Sequence, residues 1–559
     1  MSIEMNRRTF VNGAVAVAGA AALSPLLSAC GGGSTSSKGG TSSKAGLQAA
    51  LPTYVEGTAV NPDIPSVNGV VGTKTSPGYL AYPANPVKTV SGVPGKGGSY
   101  TAIVPAFGAL PDPGNSFYQA MNKALGVNLT MKPADGVNYG TVVPTMTAAK
   151  KLPDWIQLPT WETSINIGEL VGTQLADLTP YLAGDKIKQY PNLAAIPTGA
   201  WTDGAWEDKV YGIPCFSSGF SLPGTTFFRR DVFDAKGITA DQVKSAADLF
   251  SLGKELTDAK GGVWAFGDVW TYLSPLWGVP YKFTLADGKL VHKYEMDQFL
   301  EALDWHYKLA KSGYMHPDTL AGNNSAGGTR FYAGHTLITG DGLGAWNLGD
   351  AQTGTAASKN YRRGAFSIFA ADGKSTPSTF LGAATTYVSY FNIKLSKDQI
   401  LELLEVANYL AAPFGSAEYT MVNYGVEGVH YTMVNGVPTA NSAGTKYVSN
   451  AGYQGLASPP AVVSNPGANQ VTKDVCAWQA SACQHVYKPV FLDMNVTVPT
   501  RFAVADAAQA VEDTIKDCYH GIKKVSDVQA AISSWKSSGG TQLIQWYSDN
   551  VLAKYGTGQ

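Results

Sequence analysis

Two hydrophobic periods alternate along the chain from about residue 100. Tyr100 to Phe107 reads as a strand, and Asn115 opens a helix that sets Phe117, Met121 and Leu125 on one face before Gly126. Val127 to Met131 reads as a second strand, Tyr139 to Lys150 as a helix through Tyr139, Val142 and Met146, and Asp154 to Leu158 as a third strand. This alternation predicts parallel α/β layers. Ser245-x-x-Asp248 precedes Leu249, Leu252 and Leu256, and Ser396-x-x-Gln399 precedes Ile400, Leu403, Leu404 and Ala407. Both have the spacing of a capping box. Residues 297–312 predict a helix with Leu300, Leu303 and Tyr307 on one face, ended by Gly313. Asp287-Gly288 and Asn435-Gly436 predict hairpin turns. Val475, Trp478, Ala482 and Val486 recur at helical spacing. Cys476 and Cys483 are then separated by roughly 10 Å of helical rise, too far for a bridge.

The amino-terminal stretch follows another pattern. Asn6-Arg7-Arg8-Thr9-Phe10-Val11 precedes a weakly apolar run of 14 residues, Ala14 to Leu27. A bilayer span takes about 20 residues, so residues 1–29 read as an export signal rather than a membrane helix. The paired arginines followed by Phe10 resemble a twin-arginine signal, although Asn12 stands where that motif usually has Lys. Leu27-Ser28-Ala29-Cys30 resembles a lipobox, which implies cleavage before Cys30 and a diacylglycerol on its sulfur. Residues 30–50, rich in Gly, Ser, Thr, Lys and Ala, read as a flexible tether. Residues 51–97 hold seven prolines with Tyr54, Tyr79 and Tyr82 among them, and read as an extended segment on the body surface.

Composition narrows the class. The chain has 559 residues, enough for several domain-sized units, and 41 basic against 42 acidic residues. That balance argues against a nucleic-acid binder, which needs a basic stripe. Charged residues make up 15% and aromatics 11%, with 12 Trp and 28 Tyr. Such a chain buries a core, and it suits a secreted protein that meets neutral, ring-shaped ligands. Removing residues 1–29 takes away two Arg and one Glu and leaves a net charge of −2, so an acyl group rather than charge would hold the chain at a membrane. Beside Cys30 stand Cys215, Cys476, Cys483 and Cys518, without a C-x-x-C for zinc or thiol exchange. Pairing of Cys215 with Cys518 stays open. No H-E-x-x-H, G-x-S-x-G or EF-hand loop occurs, the seven His are scattered, and Gly340, Gly342 and Gly344 are too close for a dinucleotide fingerprint.

Several motifs in order carry a resemblance. They begin with Leu152-Pro153-Asp154-Trp155-Ile156, Leu175-Ala176-Asp177-Leu178-Thr179-Pro180-Tyr181 and Lys209-Val210-Tyr211-Gly212-Ile213-Pro214. Phe228-Arg229-Arg230-Asp231-Val232-Phe233 and Phe331-Tyr332-Ala333-Gly334 follow, and then Tyr424-Gly425-Val426-Glu427-Gly428-Val429-His430-Tyr431-Thr432. From about residue 100 to the end the chain resembles extracellular solute-binding protein family 1, the carbohydrate receptors of bacterial ABC importers. The resemblance implies an α/β, two-lobed periplasmic-binding-protein-like fold of type II, with ligand between lobes that crossing strands join. The crossovers fall near Tyr211–Phe216 and Phe380–Ile393. Lobe 1 would comprise 98–213 plus 381–430, and lobe 2 would comprise 214–380 plus 431–559.

Aromatic rings stack on the apolar face of a sugar, so Trp on cleft loops are the natural candidates. Trp346, in a Gly-rich loop, is read as the stacking platform, with Trp161 opposite it from lobe 1. Trp270 and Trp277 are read as ligand or core, and Glu427 as an acceptor for sugar hydroxyls or for a local structural bond. The leading reading is a monomeric, lipid-anchored receptor on the outer face of the cytoplasmic membrane. It would deliver an oligosaccharide to ABC permease subunits, with no catalytic residue, cofactor or metal. A surface-anchored glycoside hydrolase or polysaccharide lyase is the alternative, since two carboxylates need no local motif. A receptor for a peptide or lipid precursor is a third.

Overall fold

The computed structural model describes residues 44–559 apart from residues 108, 161–164, 325, 493 and 559. The signal segment, Cys30 and the first part of the tether lie outside the described residues. The end of the expected tether is not coil. Lys44–Ala50 is helical, and Ala50 is buried in a core. Its Ala and Leu residues are strong helix formers with a surface to pack on.

Nine strands build the two main sheets. The first are β1 (Ser99–Ala106), β2 (Asn128–Asp135), β3 (Trp155–Pro159) and β4 (Gly212–Cys215). Then come β5 (Thr225–Arg229), β6 (Trp264–Phe266), β7 (Thr336–Asp341), β8 (Arg363–Ala365) and β9 (Tyr387–Phe391). The first sheet has five strands in the order β2-β1-β3-β9-β4. In it β1 pairs parallel with β2 and β3, while β9 runs antiparallel to β3 and β4. The second sheet has four strands in the order β8-β5-β7-β6, with β6 parallel to β7 and β5 antiparallel to both its neighbours. Each sheet is covered by helices and centres one lobe of a two-lobed α/β fold.

Local chemistry explains the covering helices. The Asn115 side chain accepts hydrogen bonds from the amides of Phe117 and Tyr118, and Gly126 ends the helix Ser116–Leu125 at φ +66°. Its buried face packs with Ala102, Val104 and Trp155. Ile103 and Ile156 point to the other face of the same sheet, where Tyr139 and Val143 cover them. Ser396 and Gln399 complete a reciprocal capping box, and Lys397–Leu410 buries Leu403, Leu404 and Ala407 in the Trp155 core. In the second lobe Leu249, Leu252 and Leu256 pack with Phe266 and Ile338. Both predicted hairpins turn on two left-handed residues, Asp287 and Gly288 at φ +50° and +75°, Asn435 and Gly436 at +51° and +79°.

Some boundaries move. The helix Asn469–Ala482 ends at Cys483, so Val486 lies beyond it in a short strand. Cys215, Cys476, Cys483 and Cys518 are all buried and unpaired. Residues 447–457, expected with lobe 2, pack instead into the first lobe. Ala451, Tyr453, Leu456 and Ala457 share the Trp155 core, and Tyr453 meets Phe117 and Tyr118 edge-on. This apolar run shares the core face of β1 and β3 with the helix Ser116–Leu125.

The lobes are joined by segments that bond to one another. Residues 216–224 lead from β4 to β5, residues 381–386 lead into β9, and residues 458–462 leave the first core. Ser218 donates its amide to the Ala384 carbonyl (2.8 Å), Gly382 to Ser221 (3.0 Å) and Ala461 to Ser217 (2.7 Å). Residues 51–97 run over the first lobe and across these crossings. Among the described residues, no helix is long and apolar enough to cross a membrane.

Candidate functional site

The carboxyl ends of parallel strands leave unpaired loops on one edge of a sheet, which is where ligands bind in open α/β folds. In the first sheet that edge holds the end of β1, the end of β3, the residue after β4 and the start of β9. A cavity of about 200 Å³ opens there, bounded by Phe107, Gln157, Phe216, Tyr387 and the loop from Val448 to Gly455. A shallower depression of about 400 Å³ lies by Gly97, Lys123 and Asn128, at the opposite end of β1 and β2, and no aromatic residue lines it.

Each wall has a local cause. Phe107 follows β1 directly and is 58% exposed. Phe216 follows β4 at φ +54° and is 37% exposed, a left-handed conformation that a bulky residue adopts only when its surroundings hold it. Its amide donates to the Ser458 hydroxyl at 2.7 Å. The Phe216 and Tyr387 rings meet edge-on with centroids 5.8 Å apart. Burial pushes the Tyr387 phenol up to about 12, so it stays protonated at neutral pH. Gln157 sits within β3 opposite Ser389 of β9 and is 3% exposed. Its side-chain amide makes no hydrogen bond among the described residues, and a Cβ at Gly455 would collide with it.

The crossing segments run from this edge of the first sheet to the corresponding edge of the second, where Asp268 and Asp341 stand. Asp268 accepts from the Trp270 amide (3.2 Å) and the Asn324 side chain (2.7 Å). Asp341 accepts from Arg363 (3.3 Å), whose guanidinium also pairs with Asp350 at 2.6 Å. The Tyr272 ring lies where a Cβ on Gly224 or Gly340 would strike it, and burial with the two aspartates raises its phenol. Among the described residues, no three His, Cys, Asp or Glu side chains cluster to hold a metal.

The residues singled out in the sequence do not converge on the cavity. Trp346 is 5% exposed and packs edge-on against Phe227 with centroids 5.6 Å apart, inside a core with Phe331 and Tyr361. Trp270 is half-buried, stacked on Tyr519 at 5.4 Å and edge-on to His306 at 4.8 Å. Trp277 packs on Trp305 and His306. Glu427 is exposed in the turn after Gly425, bridged to Tyr431. Trp161 lies outside the described residues. Phe107, Phe216, Tyr387, Gln157 and Tyr272 were missed by the sequence reading. One signal was available: Gln157 is the lone polar side chain in a strand otherwise made of Trp155, Ile156, Leu158 and Pro159.

No protein-family model matches the chain, and no curated protein matches it in sequence. Solved structures do match. The alginate-binding protein AlgQ2 is 15% identical, with a TM-score of 0.57 over 80% of this chain and 97% of that one. An HMO-binding, ABC-transporter-associated solute-binding protein from Bifidobacterium longum infantis is 14% identical, with a TM-score of 0.57 over 82% and 99%. The N-glycan transport solute-binding protein NgtS from Streptococcus pneumoniae, in complex with Man1GlcNAc, is 14% identical, with a TM-score of 0.54 over 82% and 99%. The chain therefore has the two-lobed fold of these binding proteins, the type II periplasmic-binding-protein-like architecture.

Proposed function

We propose that this chain is the ligand-binding component of an ABC importer, which captures an oligosaccharide between its lobes and hands it intact to the permease. The observation that carries this reading is the aromatic cavity at the carboxyl edge of the first sheet, with Phe216 and Tyr387 at the mouths of two crossing segments. Aromatic faces contribute dispersion and desolvation against the C–H face of a sugar ring, and amide and phenol groups can bond its hydroxyls. A cavity of about 200 Å³ takes little more than one such ring, so the rest of a longer ligand would lie along the cleft. Ligand touching both lobes would draw the second sheet edge, with Tyr272, toward the first. The fold neighbours support the assignment, since they include an alginate-binding protein, an HMO-binding protein and an N-glycan transport protein.

The experiment is a thermal-shift screen across oligosaccharides, followed by calorimetric titration of the hits. A ligand that binds only the native state raises the melting temperature. Parallel incubation with the same sugars should release no reducing ends. Progressive release would favour the glycoside hydrolase or lyase reading instead.

The anchor belongs to the same proposal. With a lipid on Cys30, residues 31–43 would hold the body outside the cytoplasmic membrane. Cys30→Ser should turn a membrane-associated protein into unprocessed precursor or released soluble protein on fractionation. Equal membrane partition of wild type and variant would remove the anchor.

A further inference from the structure

We infer that the ligand of this cavity is an uncharged sugar, and that the Gln157 amide is the group that reads it. The inference rests on the receptor reading above and names the substrate class of the same site.

Among the described residues that line the cavity, none is Asp, Glu, Lys, Arg or His. Two basic groups of the first lobe are held by other partners. Lys446 pairs with Asp112 at 2.7 Å. His430 is 1% exposed, with one ring nitrogen 3.1 Å from the Val426 amide and the other 2.9 Å from the Ser116 hydroxyl. At the corresponding edge of the second sheet the Arg363 side chain is 1% exposed, paired with Asp350 and flanked by the rings of Phe227 and Phe331. That edge also carries the carboxylates Asp268, held by the Asn324 side chain, and Asp341, which accepts from the same Arg363. A uronate or sialic acid would lose its hydration against this cavity lining, and none of its described residues supplies a cation in return. A polyuronate such as alginate is thereby disfavoured, although the fold is shared with an alginate-binding protein.

Gln157 supplies the positive half of the argument. Buried polar side chains are nearly always hydrogen-bonded, and this one, at 3% exposure, has no side-chain partner among the described residues. It lines the cavity, and Gly455 leaves room for it by lacking a Cβ. An amide presents both donors and an acceptor, which matches a hydroxyl that gives one hydrogen bond and takes another. Glutamate would favour a cationic ligand and lysine or arginine an anionic one. Glutamine selects neither.

The test is calorimetric titration of the protein with two panels at low and high salt. The neutral panel holds malto-, manno-, xylo- and galacto-oligosaccharides and lacto-N-tetraose. The acidic panel holds alginate and galacturonate oligomers and sialyllactose. The expected result is a neutral ligand bound at least about a hundredfold more tightly than any acidic one, with little salt dependence because no ion pair forms. Gln157→Leu and Gln157→Met should each weaken that ligand by about tenfold or more, through a lost buried hydrogen bond, while the unliganded melting temperature is retained. An acidic sugar as the tightest ligand, weakening with salt, overturns the inference and leaves the receptor reading standing. Unchanged affinity in both Gln157 variants overturns the role of the amide. Failure of every sugar to bind would remove the receptor reading itself, and this inference with it.

Discussion

Phe216 combines two costs: a left-handed backbone at φ +54° and a ring that is 37% exposed at the cavity mouth. Left-handed conformations cost a non-glycine residue on the order of 1–3 kcal/mol, and such strain persists where the surrounding structure imposes it. Glycine carries no such penalty. Phe216→Gly should therefore leave the melting temperature unchanged or raised while weakening sugar binding by about tenfold, the scale of roughly 1.4 kcal/mol. A fall in both would mean the ring is a packing group. His306 makes a second residue-scale case. It is enclosed by Trp270, Trp277 and Trp305, and burial lowers its pKa from 6.5 to about 4. Between those values the unfolded chain binds a proton that the folded chain does not, so stability falls as pH drops through that window. His292, lowered to about 2 by burial, acts in the same direction. Melting curves between pH 7 and pH 4 should show the loss, and His306→Gln should make it shallower.

At the scale of elements, what was legible in the sequence was local. Asn115, Ser396, Asp287-Gly288 and Asn435-Gly436 each act within a few residues, so caps and turns follow from spacing alone. The cavity does not, because Phe107, Gln157, Phe216 and Tyr387 come from separate strands that meet only when the sheet forms. The loop after β7 shows the same limit. Its glycines suggested an open ligand loop carrying Trp346, but the short turn Leu343–Ala345 directs that side chain into the core against Phe227. Nothing within the loop encodes which way the ring faces. Truncating a buried Trp costs about 3–5 kcal/mol, so Trp346→Ala should lower the melting temperature of the unliganded protein markedly. Sugar affinity, measured by titration below the transition, should change by less than about tenfold. A large loss of affinity with an unchanged melting curve would restore Trp346 as the stacking platform.

For the whole molecule, residues 51–97 tie together parts that two independent lobes would leave separate. On the first lobe Thr53 and Val55 donate to the carbonyls of Gly184 and Ala194, and Val87 donates to Gly415. The buried Glu418 carboxylate accepts from the amides of Thr89 and Val90, both at 3.1 Å. Between these anchors the segment crosses to the other side. Lys74 donates to Gly219 in a crossing segment, Val70 donates to Cys483, and Gly78–Tyr79 pairs in parallel with Val463–Ser464. Tyr79 and Tyr82, 4% and 6% exposed, fill a small core of their own with Phe414. Burying an aromatic side chain of this kind contributes about 1.5–3 kcal/mol, and the backbone bonds would leave unpaired groups on both lobes if the segment were removed. Two truncations separate this segment from the residues before it. A chain starting at residue 44 should keep the melting temperature and sugar affinity of the mature protein. A chain starting at residue 98 should be recovered insoluble or melt at much lower temperature, and any soluble fraction should bind sugar more weakly because its crossing segments have lost their cover. If the shorter chain melts and binds like the longer one, the segment is merely laid on the surface and the crossings are held by their own hydrogen bonds.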